Sequence, residues 1–191
     1  NTAAKDATHI IRRLPGFYRT REEGNKIFPI NLNDVIPQSI DITMPRWQTQ
    51  ARDAGITIHM ETDLNTIPSI PGDDADLREM FINLICNAVD AMTENGSITF
   101  RTSQVEEDNR QYVILEVSDT GSGMPDEVRR QCLEPFFSTK GDRGTGMGLA
   151  MVFGIIQRHH GTLNIESEPG VGTRFRMRFP VEIPPPPSDI Q

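Results

Sequence analysis

Leu77, Met80, Phe81, Leu84, Ile85, Ala88, Ala91 and Met92 recur every three or four residues, the spacing of one buried helix face. At about 100° per residue, Glu79, Asn83, Asn87 and Asp90 fall on the other side within an arc of about 80°. The pattern predicts a helix over 77–92, with Asp73 or Asp74 as its cap. A solvated polar face would favour Lys and Glu, and Asn is a mediocre helix former. Two Asn at i, i+4 therefore point weakly to a function such as metal coordination, against the plainer reading of a solvated surface.

The same reading extends along the chain. Ala3, Ala4, Ala7, Ile10, Ile11 and Leu14 predict a helix over 1–20, interrupted at Pro15-Gly16, then a charged linker over 21–28. Phe28–Leu32 reads as a short strand, with Asn33 as N-cap of a helix reaching about Asp53. Pro37 then falls in the tolerated first turn, and Pro45 should kink the helix. Ile56–Glu61 alternates like a strand, and Pro71-Gly72 reads as a turn. Asn95-Gly96 reads as a hairpin turn leading to strands at 97–104 and 111–118. A short helix over 125–133 opens with Pro125, and a second runs from about Met147 to His160, stopped by Gly161. Thr162–Ser167 and Thr173–Phe179 form a terminal hairpin across Pro169-Gly170. Elements that come in blocks predict an α/β sandwich, a mixed sheet with helices on one face.

Composition narrows the classes. The chain has 191 residues, 36% of them hydrophobic, enough for one ordinary domain and some extra. Its net charge of -8 argues against a nucleic-acid surface, which rewards clustered Lys and Arg. Cys86 and Cys132 lie far apart, against a disulfide framework or zinc site and in keeping with a reducing, cytoplasmic setting. The four histidines show no metal-ligand spacing, and D-D-A-D at 73–76 lacks the glycine turn and distal Glu of a calcium loop. The longest strongly apolar stretch, around Leu149–Ile156, is too short to span a bilayer, so no membrane contact is expected of this chain.

Two glycine-rich turns follow the amide-bearing helix, D-T-G-S-G at 119–123 and G-T-G-M-G-L at 144–149. An amide-bearing helix and two flexible backbone loops, with an acid at the first, can hold a nucleotide and its metal. The P-loop signature is absent, and the glycine spacing is wrong for a dinucleotide fold.

Four boxes in order carry a family resemblance: E-M-F-I-N-L-I-C-N-A-V-D-A (79–91), D-T-G-S-G-M (119–124), E-P-F-F-S-T-K (134–140) and G-T-G-M-G-L (144–149). G-V-G-T-R-F at 170–175 adds the terminal hairpin. Over about residues 29–181 the chain resembles the catalytic ATP-binding domain of sensor histidine kinases, in the wider group with type II topoisomerases, mismatch-repair ATPases and heat-shock chaperones. The resemblance implies the Bergerat ATP-binding fold, a two-layer sandwich, with ATP and magnesium as cofactors.

It also implies roles. Asp119 should accept a hydrogen bond from the adenine amino group, while Gly121, Gly123 and Met124 line base and ribose. Asn87 should reach the magnesium ion, with Asn83 alongside near the phosphates and Asp90 in the same cofactor site. Gly144, Thr145, Gly146, Met147, Gly148 and Leu149 should offer backbone to the phosphates. Thr173 should belong to the nucleotide site. Lys140 or Arg143 should neutralise phosphate charge, or else be ordinary surface charge in the loop over 138–146. Phe136 and Phe137 are expected as hydrophobic anchors of that lid, with a secondary part in docking partner helices. Hydrolysing relatives resemble E-L-I-x-N-A-x-D-A, with a glutamate that activates water. Asn83 stands there, and a neutral amide cannot act as general base; Glu79, one turn earlier, is the nearby replacement.

No histidine matches an acceptor motif: His9 precedes Ile-Ile, His59 precedes Met-Glu, and His159-His160 precede Gly. Residues 9–19 instead resemble the end of the second helix of a phosphoacceptor hairpin. Residues 1–28 are thus expected to be a stub of the dimerisation helix and linker, 29–181 the catalytic domain, and 182–191 a linker stiffened by Pro184–Pro187. The expected partners are a separate phosphoacceptor helical domain and a response-regulator receiver domain, with the full-length protein a homodimer. A hydrolysing ATPase of the same fold and a non-enzymatic adaptor remain the competing readings.

Overall fold

The computed structural model describes residues 27–141 and 144–183. The expected N-terminal helix, Arg143 and Pro184–Pro187 lie outside them. Strand β1 (Phe28–Ile30) leads into helix α1 (Leu32–Met44), which passes through a π-helical turn (Pro45–Gln50) and a last α turn (Ala51–Asp53). Then come β2 (Ile58–Leu64), β3 (Ile70–Gly72), α2 (Asp74–Ala91), β4 (Gly96–Glu107) and β5 (Arg110–Asp119). Helices α3 (Asp126–Gln131) and α4 (Gly148–Arg158) precede β6 (Thr162–Glu168) and β7 (Gly172–Pro180).

The main sheet has five strands in the order β2-β4-β5-β7-β6. Only β2 and β4 run parallel in it, so the sheet is mixed, as expected. Ile98, Phe100, Val113, Leu115, Val117, Phe175, Met177 and Phe179 point to one face and are buried. Against them pack Val35 and Ile36 of α1, Phe81, Leu84 and Ile85 of α2, and Val152, Ile155 and Ile156 of α4. Phe81 meets Phe100 edge-on, with ring centroids 6.2 Å apart. The other face is solvated, and a charge ladder crosses all five strands. Arg101 lies 3.6 Å from Asp63 and 3.7 Å from Glu116, and Arg174 lies 3.5 Å from both Glu116 and Glu166. Such exposed pairs contribute little stability each; they mark the face that faces water.

Several local expectations are corrected. Asn31, not Asn33, caps α1, its side chain accepting from the Asn33 N–H at 3.0 Å. Asn33 cannot cap because its side chain is committed elsewhere, to the Asn65 carbonyl at 2.8 Å and the Thr102 hydroxyl at 2.9 Å. Pro37 is therefore past the first turn, inside the helix. Pro45 does break the α pattern, through a wider π-helical turn, where Trp47 Nε1 donates to the Ile40 carbonyl at 3.1 Å. Pro71-Gly72 is not a turn but belongs to β3, which pairs with β1 in a two-stranded ribbon. Asn95-Gly96 is no hairpin, because Gly96 starts β4 beside the parallel strand β2. The hairpin turn is Asp108-Asn109, with φ of 50° and 57°, between Glu107 and its register partner Arg110. Pro125 stands one position before α3, as its N-cap.

Candidate functional site

Helix α2 starts cleanly because the Asp73 carboxylate accepts from the Ala75 and Asp76 amides at 2.9 and 3.1 Å. Its apolar stripe is held in the core, so Glu79, Asn83, Asn87 and Asp90 are turned outward. Asn83 Nδ2 donates back to the Glu79 carbonyl at 2.9 Å. Asp90 is bracketed by cations: Lys140 Nζ lies 2.8 Å from its Oδ2, and Arg46 pairs with its Oδ1. The Lys140 ammonium also lies 3.4 Å from Asn87 Oδ1. Desolvation works to raise the Asp90 pKa, but the two cations outweigh it and hold the carboxyl below its usual range.

The first glycine turn hangs from the end of β5. Asp119 is half-buried, and the Gly121 N–H donates to its Oδ1 at 2.9 Å. Burial pushes the Asp119 carboxyl above its ordinary value, partly offset by the backbone amides of Gly121 and Thr173. The Ser122 N–H reaches the Ala91 carbonyl at 2.9 Å, which clips the turn to the end of α2. A Cβ on Gly121 would stand 2.9 Å from that same carbonyl, so only glycine fits. Thr173 sits opposite Asp119 in the β5–β7 register. Ser167 ties the edge together: its hydroxyl is 2.9 Å from the Thr173 hydroxyl, donates to the Gly172 carbonyl at 3.0 Å, and receives the Met124 N–H at 2.8 Å.

The second glycine box opens α4. Gly146 has φ +64°, and its carbonyl accepts the Phe136 N–H at 2.9 Å. Among the described residues no side chain caps the α4 N-terminus at Met147, so nothing described there satisfies its first amides from a side chain. A Cβ on Gly148 would lie 3.2 Å from Asn83 Oδ1 and 3.4 Å from Asn87 Nδ2. The box thus abuts the amide face of α2. Glu79, Asn83, Thr145, Met147 and Gly148 line a cleft of about 440 Å³ between them. Leu149 is half-buried beside it, and Gly144 packs against Ser138. A larger concavity of about 540 Å³, around Tyr112 and Arg178, lies at the opposite end of β5 from Asp119 and holds no expected site residue.

Two points differ from the expectation. Phe136 is 62% exposed, so among the described residues its ring is not an anchor; its backbone makes the tie to Gly146. Arg46 and Ser167 were not anticipated. Each reaches the site across tens of residues, and neither lies in a recognisable box.

Residues 72–183 match the family described as histidine kinase-, DNA gyrase B-, and HSP90-like ATPase. The chain belongs to this family. It is 33% identical over 189 residues to the sensor kinase CckA of Brucella abortus (strain 2308), covering 93% of the chain and 19% of that protein. The chain thus spans about a fifth of the length of the curated relatives it matches. Among solved structures, the catalytic domain of histidine kinase ThkA superimposes with a TM-score of 0.66 at 25% identity, over 81% of the chain and 95% of that domain. Full-length ShkA in complex with AMPPNP gives a TM-score of 0.71 at 25% identity, over 92% of the chain and 36% of that protein. The fold is therefore the ATP-binding fold of histidine kinase catalytic domains, as the boxes implied. No helix among the described residues is long and apolar enough to cross a membrane.

Proposed function

We propose that this chain binds Mg-ATP and passes its γ-phosphoryl group to a histidine on a separate helical domain, for relay to a receiver-domain aspartate. The observation that carries the reading is the meeting of three elements. The turn that follows Asp119 is clipped to the end of α2 at Ala91, and the start of α4 at Gly148 abuts Asn83 and Asn87 further back along the same helix. That order matches adenine, polyphosphate and metal.

Asp119 would accept the adenine amino hydrogen with the oxygen lobe that Gly121 leaves open. Gly121, Gly123 and Met124 shape the wall beside it, and Thr173 flanks it. The α4 amides of Gly148 and Leu149 would face phosphate oxygens, helped by the helix dipole. The Asn87 carboxamide oxygen would hold a magnesium ion, a hard cation that takes oxygen ligands. The fit is supported by the Lys140 ammonium, which already rests against Asn87 Oδ1 and Asp90 Oδ2. When bound, the ion neutralises phosphate charge that builds during transfer.

In the transfer, a nitrogen of the acceptor imidazole attacks the γ-phosphorus in line. The P–N bond forms as the bond to the β–γ bridging oxygen breaks, leaving ADP. Glu79, on the cleft with Asn83, would take the imidazole proton. Asn83 offers no base for water, so hydrolysis should be slow. The test mixes the chain with labelled ATP and a separately supplied helical acceptor domain from a sensor kinase. Label should appear on the acceptor's histidine and not stably on the chain itself. Stable label on the chain, or none on any acceptor, would overturn the reading.

A further inference from the structure

The adjacent histidines at 159 and 160 have no place in the chemistry above, yet one of them is built into the frame. His159 ends α4 and is 5% exposed. Its Nδ1 lies 2.8 Å from the Ile155 carbonyl, which can only accept, so Nδ1 carries the proton. Its Nε2 must then be the bare nitrogen, and it accepts the Asp73 N–H at 3.1 Å. Asp73 is the N-cap of α2. In many helices the residue three positions on returns its side chain to the N-cap N–H. Here that residue, Asp76, pairs instead with Arg158 at 2.9 Å, and an imidazole from another helix accepts that N–H. Gly72 makes the approach possible: a Cβ there would stand 2.6 Å from His159 Cδ2 and 2.8 Å from Nε2.

Helix α4 is therefore pinned to α2 at both ends. Gly148 abuts Asn83 and Asn87, and about 16 Å away along the axis His159 and Arg158 hold Asp73 and Asp76. We propose that His159 is a positioning residue for the nucleotide site: its neutral imidazole fixes the spacing at which the Asn83/Asn87 face and the α4 amides together meet a polyphosphate. The inference rests on the nucleotide-binding reading above. Protonating Nε2 would set two donors against each other and release the start of α2. The charged groups facing the ring are Asp73 and Asp76 from α2 and Arg158 from α4. Burial holds the imidazole below its ordinary pKa, partly opposed by the Ile155 carbonyl and Asp76, so the neutral form prevails near neutral pH.

The experiment measures binding of Mg-ATP and of adenosine to the whole chain, between about pH 5.5 and 8, for three variants and the wild type. His159→Gln keeps an acceptor for the Asp73 N–H. His159→Phe keeps bulk without one, and Gly72→Ala pushes on the ring while leaving His159 in place. The expected result at neutral pH is that His159→Phe and Gly72→Ala each lose about three- to tenfold in ATP affinity, with adenosine affinity unchanged. His159→Gln should stay near wild type there. The ratio of wild-type to His159→Gln affinity should fall on acidification, which cancels the titration of ATP itself. Wild-type ATP affinity in both His159→Phe and Gly72→Ala would overturn the inference. So would equal losses for ATP and adenosine, which would mark a merely structural role. If the wild type binds neither ligand, the nucleotide-binding reading falls first and takes this one with it.

Discussion

The ammonium of Lys140 lies 2.8 Å from Asp90 Oδ2, and the same carboxylate pairs through its other oxygen with Arg46. One acid thus gathers cations from two distant segments beside Asn87. If Lys140 faces phosphate when nucleotide binds, Lys140→Ala should weaken ATP affinity by about tenfold and leave adenosine affinity unchanged. Calorimetric titrations with both ligands check this. Equal effects on the two would show that the lysine merely shapes the loop.

Asn87→Ala should remove most of the benefit that magnesium gives to ATP binding. Titrating ATP with and without the ion isolates that term. The variant should melt close to the wild type, because Asn87 lies on the outward side of α2 rather than in the core. An undiminished magnesium effect would contradict the assignment.

Asp119→Asn should weaken ATP binding by about tenfold or more and narrow its preference over GTP. The Gly121 N–H already occupies Oδ1, so an amide in this position would keep its oxygen there and turn its NH2 toward the adenine amino group. The acid also carries a pH signature. Its folded pKa is raised above 3.8, so its contribution to stability is fully present below 3.8 and is lost as pH rises through the folded value. Leaving the buried carboxylate charged is unfavourable, and a donor from the base offsets that. Adenosine binding should therefore fall off in acid at a higher pH than an ordinary carboxylate would give, and Asp119→Asn should lose this dependence.

Gly146→Ala should be far more disruptive than Gly141→Ala. Both glycines have positive φ, of +64° and +56°. A Cβ at Gly146 would lie 2.3 Å from the Phe136 carbonyl carbon, whereas one at Gly141 meets nothing within 4 Å. The first substitution should lower the melting temperature and nucleotide affinity together. The second should cost only about 1 kcal/mol of backbone strain. Similar melting temperatures for the two would mean that the second glycine box is looser than it stands here.

Much of this was legible because the features are local. The apolar stripe from Leu77 to Met92 gave α2 and its outward amides, and Asp73 is one of the two N-caps expected for it; the helix starts three residues earlier than the stripe. The glycine boxes showed where backbone must pass close to other backbone. What escaped was tertiary. Asn33 and Asn31 offer equal capping chemistry, and only the distant bonds to Asn65 and Thr102 decide between them. Asn95-Gly96 has the composition of a hairpin, but a parallel neighbour makes it a strand start, while the actual hairpin uses the less conspicuous Asp108-Asn109. Arg46 reaches Asp90 from 44 residues away. His159 carried no signal beyond its type, since its partner Asp73 lies 86 residues earlier.

This chain should hold ATP intact until a histidine arrives. The most direct measurement titrates the chain with ATP and magnesium in a calorimeter while following free phosphate in the same sample. Binding of one nucleotide per chain with negligible phosphate release is the predicted result. Rapid release would show that Asn83 does not prevent water activation and that the chain hydrolyses ATP. No binding would mean that the chain is not a nucleotide-binding domain and that the fold keeps its boxes without using them.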